Sequence, residues 1–431
     1  MKTTGLKTAI ALAVASFSSL SLANGIAINE QSASGMGTSF AGRSSSALDA
    51  STVFGNPAGM SKLKRTEISG GAAVIDASSD FSNVRSNARG TNEGDMVPTS
   101  AVPFGYVVTP LNDDWHFGLG IYVPYALISD YENSFQGRYH GSYSKVEVIT
   151  VQPTLSYKIN DRVSVGFGPT INRIAGKLES NLSLAPLGGG DAEVKIKGDD
   201  VALGYNIGVL ADVTDQLAVG VTYHSKVKYK LEGHTKASGV SSLSPVVNRL
   251  ISPLNGKYDA ELDITTPESL DTSFTYKLDD RWTLYGGATW TRWSRLDKLE
   301  VQNSGTPTVP TLGNVLGTVD EELKWHDTWS YAIGASYQLN PQWVLRTGFA
   351  IDPSPTDNEY RNVRIPVGNR KTVSIGAGWS PSPDLTVDVA YAYLWEDKAS
   401  INHEATALQP AYSAKVENSA HGLAAQVSYR F

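Results

Sequence analysis

Hydrophobic and polar residues alternate along most of the chain after Lys64, with the period of two that is typical of β-strands. In residues 217–224 the odd-numbered positions are apolar, and the positions between them are small or polar. Residues 151–157 repeat this pattern apart from Pro153, and residues 423–431 place Phe431 on the apolar register. Each strand therefore has one face suited to lipid or a core and one suited to a polar interior.

The connections between these predicted strands alternate between short turns and long loops. Six short turns lie at Thr109–Asp114, Asn160–Asp161, Thr214–Asp215, Asp279–Asp280, Asn340–Pro341 and Ser380–Asp384. Seven longer polar stretches lie at residues 78–95, 129–144, 179–199, 233–256, 302–321, 357–369 and 402–413. This alternation predicts about fourteen antiparallel strands with both chain ends on the short-turn side, which is the arrangement of a transmembrane β-barrel.

Four tryptophans support this fold class, because they lie next to short turns, where a membrane barrel carries an interfacial aromatic girdle. They are Trp115, Trp282, Trp343 and Trp379. A soluble β-sandwich or β-helix would also alternate. It would not explain the asymmetry of loop lengths or the terminal Phe431.

Residues 1–23 have the features of a secretory signal peptide, with Lys2 and Lys7 before a short apolar run and cleavage expected after Ala23. The chain has 36 basic and 43 acidic residues, so loss of the two lysines leaves a net charge of about −9, which argues against nucleic-acid binding. It contains no cysteine. No later apolar stretch approaches the ~18 residues that a membrane helix needs. We therefore expect an exported, multi-pass barrel of a bacterial outer membrane.

Residues 24–60, which precede the first strand, are rich in Ser, Gly and Ala. By composition this segment could be a flexible tail. Its charges, such as Glu30 and Arg43, are dispersed, and it ends in the turn-forming sequence Asn56-Pro57-Ala58. These features favour a folded segment.

The run Asn29-Glu30-Gln31-Ser32-Ala33-Ser34-Gly35-Met36-Gly37, followed by Asn56-Pro57-Ala58, closely resembles the FadL family of outer-membrane long-chain fatty-acid transporters. The resemblance returns at residues 346–355 and at Phe431. It implies a hatch at residues 24–63 inside a barrel of residues 64–431, with Asn29, Glu30, Asn56, Pro57 and Ala58 as gating residues. It also implies passive uptake of hydrophobic molecules, most of all long-chain fatty acids, and a C-terminal Phe431 recognised by the barrel-assembly machinery.

The third predicted strand, residues 115–128, contains Pro124. Proline cannot donate a ladder hydrogen bond, so we expect a distorted wall there. In the resembled family this strand kinks inward and opens a lateral gap, which implies that Pro124, Tyr125 and Ala126 border a sideways exit.

A lumen that passes a fatty acid needs cations for its carboxylate. Continuing the register of residues 217–224 directs His224, Lys226, Lys228 and Lys230 inward, and Arg346 also lies on an inward face. We take Lys226, Lys228, Lys230 and Arg346 as head-group candidates. The alternative is an ordinary polar lumen, or a basic mouth that faces lipopolysaccharide.

We find no catalytic, metal or cofactor motif among the seven histidines. A hydrolase site at His140 with Ser142 and Ser144 lacks an identifiable orienting acid. The expected partners are a hydrophobic ligand and outer-membrane lipid including lipopolysaccharide, and we expect a monomer. The alternatives are a barrel that imports aromatic hydrocarbons, a general porin, or a receptor or adhesin that acts through its external loops.

Overall fold

The computed structural model describes residues 25–92, 96–310 and 312–431, so the predicted signal peptide lies outside the described residues. Nearly all strands are long and antiparallel to their neighbours. They are β1 (Glu67–Ser86), β2 (Ser100–Pro110), β3 (Trp115–Asp130), β4 (Tyr143–Lys158), β5 (Val163–Ser183), β6 (Asp191–Asp212), β7 (Leu217–His224), β8 (Val227–Ser238), β9 (Gly256–Thr266), β10 (Ser269–Lys277), β11 (Trp282–Thr291), β12 (Lys298–Ser304), β13 (Thr318–Glu322), β14 (Thr328–Asn340), β15 (Trp343–Asp352), β16 (Arg370–Ser382), β17 (Leu385–Glu396), β18 (Ala399–His403) and β19 (Tyr412–Arg430).

These segments form one sheet that closes on itself, because β19 pairs with β1 along almost its whole length. Five barrel strands are interrupted and consist of two segments each, namely β7 with β8, β9 with β10, β11 with β12, β13 with β14, and β17 with β18. The sheet is therefore a closed antiparallel barrel of fourteen strands, as the turn pattern predicted. Closure leaves no free sheet edge for aggregation.

The two faces of the wall follow the predicted alternation. On β4, Leu155 is 45% exposed, whereas Gln152 on the opposite face is completely buried. Val427 and Tyr429 of β19 and the terminal Phe431 are exposed on the outer face. The four tryptophans beside short turns are each about 40% exposed on the outer surface, as expected for an interfacial girdle.

All six predicted short turns are confirmed, and most loops on the opposite side are shorter than predicted, whereas the loop predicted at residues 357–369 is longer and spans residues 353–369. The predicted loop at residues 179–199 was wrong: β5 continues to Ser183 and β6 begins at Asp191. The polar outward residues there alternate with apolar inward residues such as Leu178 and Ile196, so the strand period continues beyond the membrane.

Among the described residues, helices are few and short. They are α1 (Ala33–Met36), α2 (Thr52–Gly55) and α3 (Pro245–Ile251), with 3₁₀ turns at Pro57–Lys62, Ala185–Leu187, Ser252–Leu254 and Trp293–Arg295. Within the described residues, no helix combines the length and the apolar character that a bilayer crossing requires.

Residues 25–63, which we call the N-terminal segment, pack inside the barrel. Its residues bond to strands on opposite sides of the lumen: Ala33 N donates to Gln426 Oε1 of β19 at 3.0 Å, and Ser44 N donates to Ser273 Oγ of β10 at 3.0 Å. On β4, Gln152 Nε2 donates to Val53 O at 2.9 Å. The segment is therefore hydrogen-bonded around the lumen and is not a free tail.

Glycines in the wall allow this close packing. A Cβ atom on Gly348 of β15 would lie 2.2 Å from the carbonyl carbon of Thr38, and one on Gly220 of β7 would lie 1.7 Å from Ser44 O. Any larger residue at these two positions would collide with the backbone of the N-terminal segment.

Candidate functional site

Strand β3 bends and separates from β2 at the position of Pro124, while it stays paired to β4. Two residues lie between Tyr122 and Tyr125 on β3, while one lies between their partners Thr150 and Val148 on β4, so β3 carries one extra residue beside Pro124. This is a β-bulge, which bends a strand. On the other side, the pairing of β2 with β3 ends at Ile121. On the long-loop side of Ile121, the wall therefore lacks a hydrogen-bonded ladder between β2 and β3.

The N-terminal segment takes up the edge of β3 that β2 leaves. Ile28 N donates to Pro124 O at 2.9 Å, and Ala126 N donates to Ile26 O at 3.0 Å. Pro124 has no N–H to offer in return. The side chain of Gln31 compensates, because its Nε2 donates to Val123 O at 2.5 Å and to Ile28 O at 3.3 Å. The kinked strand is thus paired to the N-terminal segment instead of to the wall.

A cavity of ≈ 80 Å³, which we call the apolar pocket, lies next to this junction. Ile26 of the N-terminal segment and Leu127 of β3 form its inner end. Its other apolar lining residues come from neighbouring strands and from one loop: Val146, Ile174, Leu178, Ile196, Leu231, Leu262, Ile264, Leu296, Leu299, Val301, Leu323 and Ile365. Aliphatic side chains dominate this lining, which suits a hydrocarbon chain.

One end of the apolar pocket is polar and is formed by the loop between β15 and β16. The Arg364 side chain is 10% exposed there. Its Nη1 donates to Tyr143 O at 3.0 Å, Ser144 Oγ at 2.9 Å and Glu179 O at 3.1 Å. None of the described residues accepts a hydrogen bond from Nη2. The guanidinium is therefore fixed on one side and free on the other.

A local turn holds Arg364 in this position. Asn362 Oδ1 accepts hydrogen bonds from Arg364 N at 3.0 Å and from Ile365 N at 2.8 Å. The counter-charge is Glu321, whose Oε2 lies 3.5 Å from Arg364 Nε. Burial raises the pKa of Glu321, and the nearby Arg364 partly opposes this.

A second cavity of ≈ 260 Å³, the mouth pocket, adjoins the apolar pocket on the long-loop side and shares Arg364, Glu321 and Leu178 with it. Its walls include His140 and His403, whose rings are stacked with centroids 4.2 Å apart. Burial lowers the pKa of both histidines, that of His403 to about 3. The two cavities form a route from the long-loop side to the N-terminal segment.

A third cavity of ≈ 150 Å³, the lumen cavity, lies on the other side of residues Ala27 and Ile28. It borders Pro124 and Tyr125 at the kink. Glu30, Arg43 and His224 also line it, and each has one buried polar atom without a hydrogen-bond partner among the described residues. Residues 26–28 therefore separate an almost wholly apolar compartment from one of mixed polar and apolar lining.

Comparison with known proteins agrees with this architecture. The profile of the outer membrane protein transport protein family (OMPP1/FadL/TodX) matches residues 14–431. The chain therefore belongs to the OMPP1/FadL/TodX family. It is an outer-membrane β-barrel of a family of transporters for hydrophobic compounds.

Relatives of this family align over nearly the whole chain. A long-chain fatty acid transport protein of Salmonella typhi is 28% identical over 422 residues, covering 93% of this chain and 94% of that protein. An outer membrane protein of Neisseria meningitidis is 30% identical over 500 residues, covering all of both chains.

Solved structures of the FadL and TodX type share the fold. A FadL homologue from Pseudomonas aeruginosa superposes with a TM-score of 0.83 at 24% identity, covering 94% of this chain and 100% of that one. The toluene transporter TodX of P. putida superposes with a TM-score of 0.68 at 17% identity, covering 90% of this chain and 95% of that one.

The predicted gating residues lie within the N-terminal segment, in two places. Asn29 Oδ1 accepts a hydrogen bond from Arg43 Nη2 at 2.7 Å, and Glu30 faces the lumen cavity beside it. Asn56 is 1% exposed, and its Nδ2 donates to Ser44 O at 2.6 Å and to Val209 O of β6 at 3.0 Å. Asn56 Oδ1 accepts a hydrogen bond from Ala58 N, and this bond caps the 3₁₀ turn that begins at Pro57.

The predicted inward direction of the three lysines was wrong. Six residues lie between Asp199 and Asn206 on β6, but seven lie between their partners Glu232 and His224, so a bulge lies after His224. The bulge reverses the faces: Val227, Tyr229 and Leu231 point inward and are buried, while Lys226, Lys228 and Lys230 are exposed. Lys230 instead pairs with the exposed Glu261 at 2.9 Å.

Arg346 does point inward, against Gly37 of the N-terminal segment. Its charge is already neutralised, because Nη1 lies 2.6 Å from Asp388 Oδ1 and both side chains are at most 7% exposed. The hydrolase alternative also loses its geometry. His140 Nε2 contacts Pro410 O at 2.8 Å, and Ser144 accepts from Arg364.

Sequence reasoning missed Arg364. It lies in a predicted loop, residues 357–369, where an arginine would ordinarily be solvated. The available signal was the flanking apolar pattern: Val363, Ile365 and Val367 are all buried, and they draw the loop into the barrel.

Proposed function

We propose that this barrel admits long-chain fatty acids from the external side. The observation that carries this proposal is Arg364, a buried guanidinium with a free Nη2 at the junction between the aliphatic apolar pocket and the mouth pocket. Arginine is suited to bind carboxylates through charge-assisted hydrogen bonds. The hydrocarbon tail would lie along the aliphatic side chains, and the carboxylate would stay at Arg364.

A second candidate substrate class is aromatic hydrocarbon, because TodX, which shares the fold, is described as a toluene transporter. Such a ligand has no anionic group and would leave Arg364 Nη2 without an acceptor. It would also use only part of a long aliphatic lining. The pocket chemistry therefore favours an amphipathic acid. A general porin is not supported, since the N-terminal segment occupies the lumen.

Residues 24–63 would act as a hatch and residues 64–431 as the transporting barrel. A ligand in the apolar pocket meets Ile26 and Leu127 at the inner end of the pocket. Residues 26–28 block the way from there to the lumen cavity. Displacement of this short strand from Pro124 and Ala126 would join the two cavities and uncover the gap between β2 and β3. Asn29, Glu30 and Asn56 to Ala58 would keep the rest of the hatch in place.

Exit through this gap avoids a large energetic cost. Each CH₂ group transferred from an apolar site into water costs about 0.8 kcal/mol, so a tail of a dozen or so methylenes faces a barrier of about 10 kcal/mol towards the periplasm. Sideways exit past Pro124, Tyr125 and Ala126 leads into lipid instead. In the intact ladder of a closed barrel such an opening would break paired backbone groups. Here β2 and β3 are already unpaired beyond Ile121.

The further expected partners follow from the membrane location. Lipopolysaccharide and phospholipid would surround the apolar outer face, and the exposed Phe431 would present the C-terminal strand to the barrel-assembly machinery. We propose a monomeric transporter without catalytic activity.

The direct test is to purify the protein in mild detergent, incubate it with equal amounts of palmitic acid and toluene, and identify the bound molecule by mass spectrometry. We expect stoichiometric palmitic acid. Retention of toluene alone would favour the aromatic class, and retention of neither would reject both.

A further inference from the structure

Six exposed or half-exposed lysines form two rows on the outer wall of β4, β5, β6, β8 and β9, beyond the apolar band. In the first row Lys145 of β4 lies opposite Lys177 of β5, which lies opposite Lys197 of β6. In the second row Lys195 of β6 lies opposite Lys236 of β8, which lies opposite Lys257 of β9. We call these six residues the lysine patch.

The lysine patch faces outward. The residues that alternate with it, among them Val146, Ile174, Leu178 and Ile196, line the apolar pocket on the inner side of the same strands. On β6, Lys197 lies six residues beyond Leu203, which is 74% exposed within the apolar band. At about 3.3 Å per residue and with the usual tilt of a barrel strand, this places Lys197 about 15 Å above Leu203, on the long-loop side of the apolar band.

Like charges directly opposite each other in a ladder destabilise a sheet unless counter-charges are near. Half of the lysine patch has counter-charges on the same strands: Glu179 lies 2.6 Å from Lys177 and 3.5 Å from Lys195, Glu193 lies 2.8 Å from Lys195, and Glu147 lies 3.5 Å from Lys145. One row nearer the membrane, Asp199 and Glu232 add negative charge beside Lys197. For Lys197, Lys236 and Lys257, no ion pair forms with any described residue, and all three are exposed.

We propose that the lysine patch binds the phosphate groups of lipopolysaccharide in the outer leaflet. These phosphates lie in the layer directly above the acyl chains, at the level that the patch reaches on the wall. Several lysines spread over adjacent strands can neutralise more than one phosphate, and the charge complementarity removes the repulsion within each row. The site lies outside the barrel and is independent of the ligand that the barrel carries.

The test uses the full-length protein in detergent and rough lipopolysaccharide with a phosphorylated core. The variant is the triple exchange Lys197→Gln, Lys236→Gln and Lys257→Gln, on exposed positions without ion pairs. The control is Lys64→Gln, Lys277→Gln and Lys415→Gln, which makes the same change of charge at exposed positions elsewhere. A shift of the barrel band on heating in gels confirms that each variant is folded.

We expect the lysine-patch variant to bind this lipopolysaccharide about 100-fold more weakly than the wild type, and the control variant to bind within a factor of about two. Dephosphorylated lipopolysaccharide should bind all three proteins equally weakly. Equal affinity of the lysine-patch variant and the wild type would overturn the proposal. So would undiminished binding of the dephosphorylated form, or competition by inorganic phosphate alone at equal concentration.

Discussion

Ile28 and Pro124 are joined by a backbone hydrogen bond of 2.9 Å between the N-terminal segment and the kinked strand β3. Together with the bond from Ala126 to Ile26 it makes Ala27 and Tyr125 a directly opposed antiparallel pair. The two bonds flank this pair, so its Cα atoms have the close spacing of a non-hydrogen-bonded position, about 4.5 Å. The backbone contact between the N-terminal segment and the kinked part of β3 thus involves only three residues of the N-terminal segment, 26–28.

This pair permits a reversible lock, because the chain contains no cysteine of its own. A spacing of about 4.5 Å falls within the range that a disulfide can bridge. We expect the double variant Ala27→Cys with Tyr125→Cys to bind palmitic acid when oxidised but not to transport it, and to recover transport when reduced. Uptake of labelled palmitic acid into cells, with and without reductant, measures this.

Each single cysteine variant is the control for that experiment, since Tyr125 also donates a hydrogen bond from its hydroxyl to Pro267 O. Both single variants should respond to reductant no more than the wild type. The disulfide of the oxidised double variant is confirmed by mass spectrometry. If this oxidised protein transports palmitic acid as fast as the chemically reduced double variant does, the ligand does not pass residues 26–28.

Arg364 should discriminate an acid from a neutral lipid of the same length. Removing Arg364 alone would leave Glu321 buried without its partner, so we choose the double variant Arg364→Gln with Glu321→Gln. A hydrogen bond to a charged group contributes about 1.5–3 kcal/mol, so palmitic acid should bind about 10- to 100-fold more weakly. Hexadecanol should bind almost unchanged. Titration of the purified protein with each lipid measures both affinities.

The matched control is Lys298→Gln with Glu300→Gln, which removes an exposed ion pair of 2.8 Å on β12, a strand that also lines the apolar pocket. It should leave both affinities unaltered. An equal loss for palmitic acid and hexadecanol in the Arg364 variant would mean that the arginine only shapes the pocket.

The fold follows from local patterns, which is why the sequence predicts it well. The alternation around Leu155 and Val427, and turn residues such as Asn160, depend only on near neighbours in the chain. The face on which Lys228 lies cannot be predicted from that alternation, because one extra residue after His224 moves every later side chain of the strand to the opposite face. That bulge is stabilised by Ser225, whose Oγ accepts from Tyr205 N at 2.8 Å on the neighbouring strand.

Arg364 illustrates a second limit. Its position depends on acceptors at Tyr143, Ser144 and Glu179, which lie about two hundred residues away in the sequence. No periodicity within residues 357–369 encodes those contacts. The kink at Pro124 was predictable because proline carries its constraint in its own ring, whereas the pairing of the kink with Ile26 and Ile28 was not.

The mouth pocket should loosen in acid. Burial lowers the pKa of His140 and His403 below the unfolded value of 6.5, and the nearby Arg364 opposes protonation of both. A group with a depressed folded pKa binds its proton more readily when unfolded, so the local structure is fully stable above about pH 6.5 and loses stability as the pH falls below it. Hydrogen exchange of residues 137–141 and 402–411 at about pH 7.5 and pH 5 measures this opening.

The double variant His140→Phe with His403→Phe keeps the stacked rings and removes both titrating groups. We expect its exchange rates, corrected for the intrinsic effect of pH, to be the same at the two pH values, whereas the wild type opens faster at the lower one. His421, which is exposed and bonds to Tyr391, provides the control exchange His421→Phe. A wild type without any pH effect on these loops would contradict the prediction.

Asn56 should hold the hatch without holding the barrel. Its buried side chain makes three hydrogen bonds, to Ser44 O, Val209 O and Ala58 N, and only the bond to Val209 reaches the wall. Asn56→Ala leaves these backbone groups unpaired, at a cost of about 1–3 kcal/mol each where no water replaces the amide. The β1–β19 closure does not involve Asn56. We therefore expect normal heat resistance on gels, faster protease cleavage within residues 40–60, and altered palmitic acid uptake.

Thr66→Ala, which removes a hydroxyl contact to Thr109 at the short-turn end, is the control and should change none of these. Protease resistance equal to that of the wild type would show that the rest of the N-terminal segment holds itself inside the barrel without this anchor.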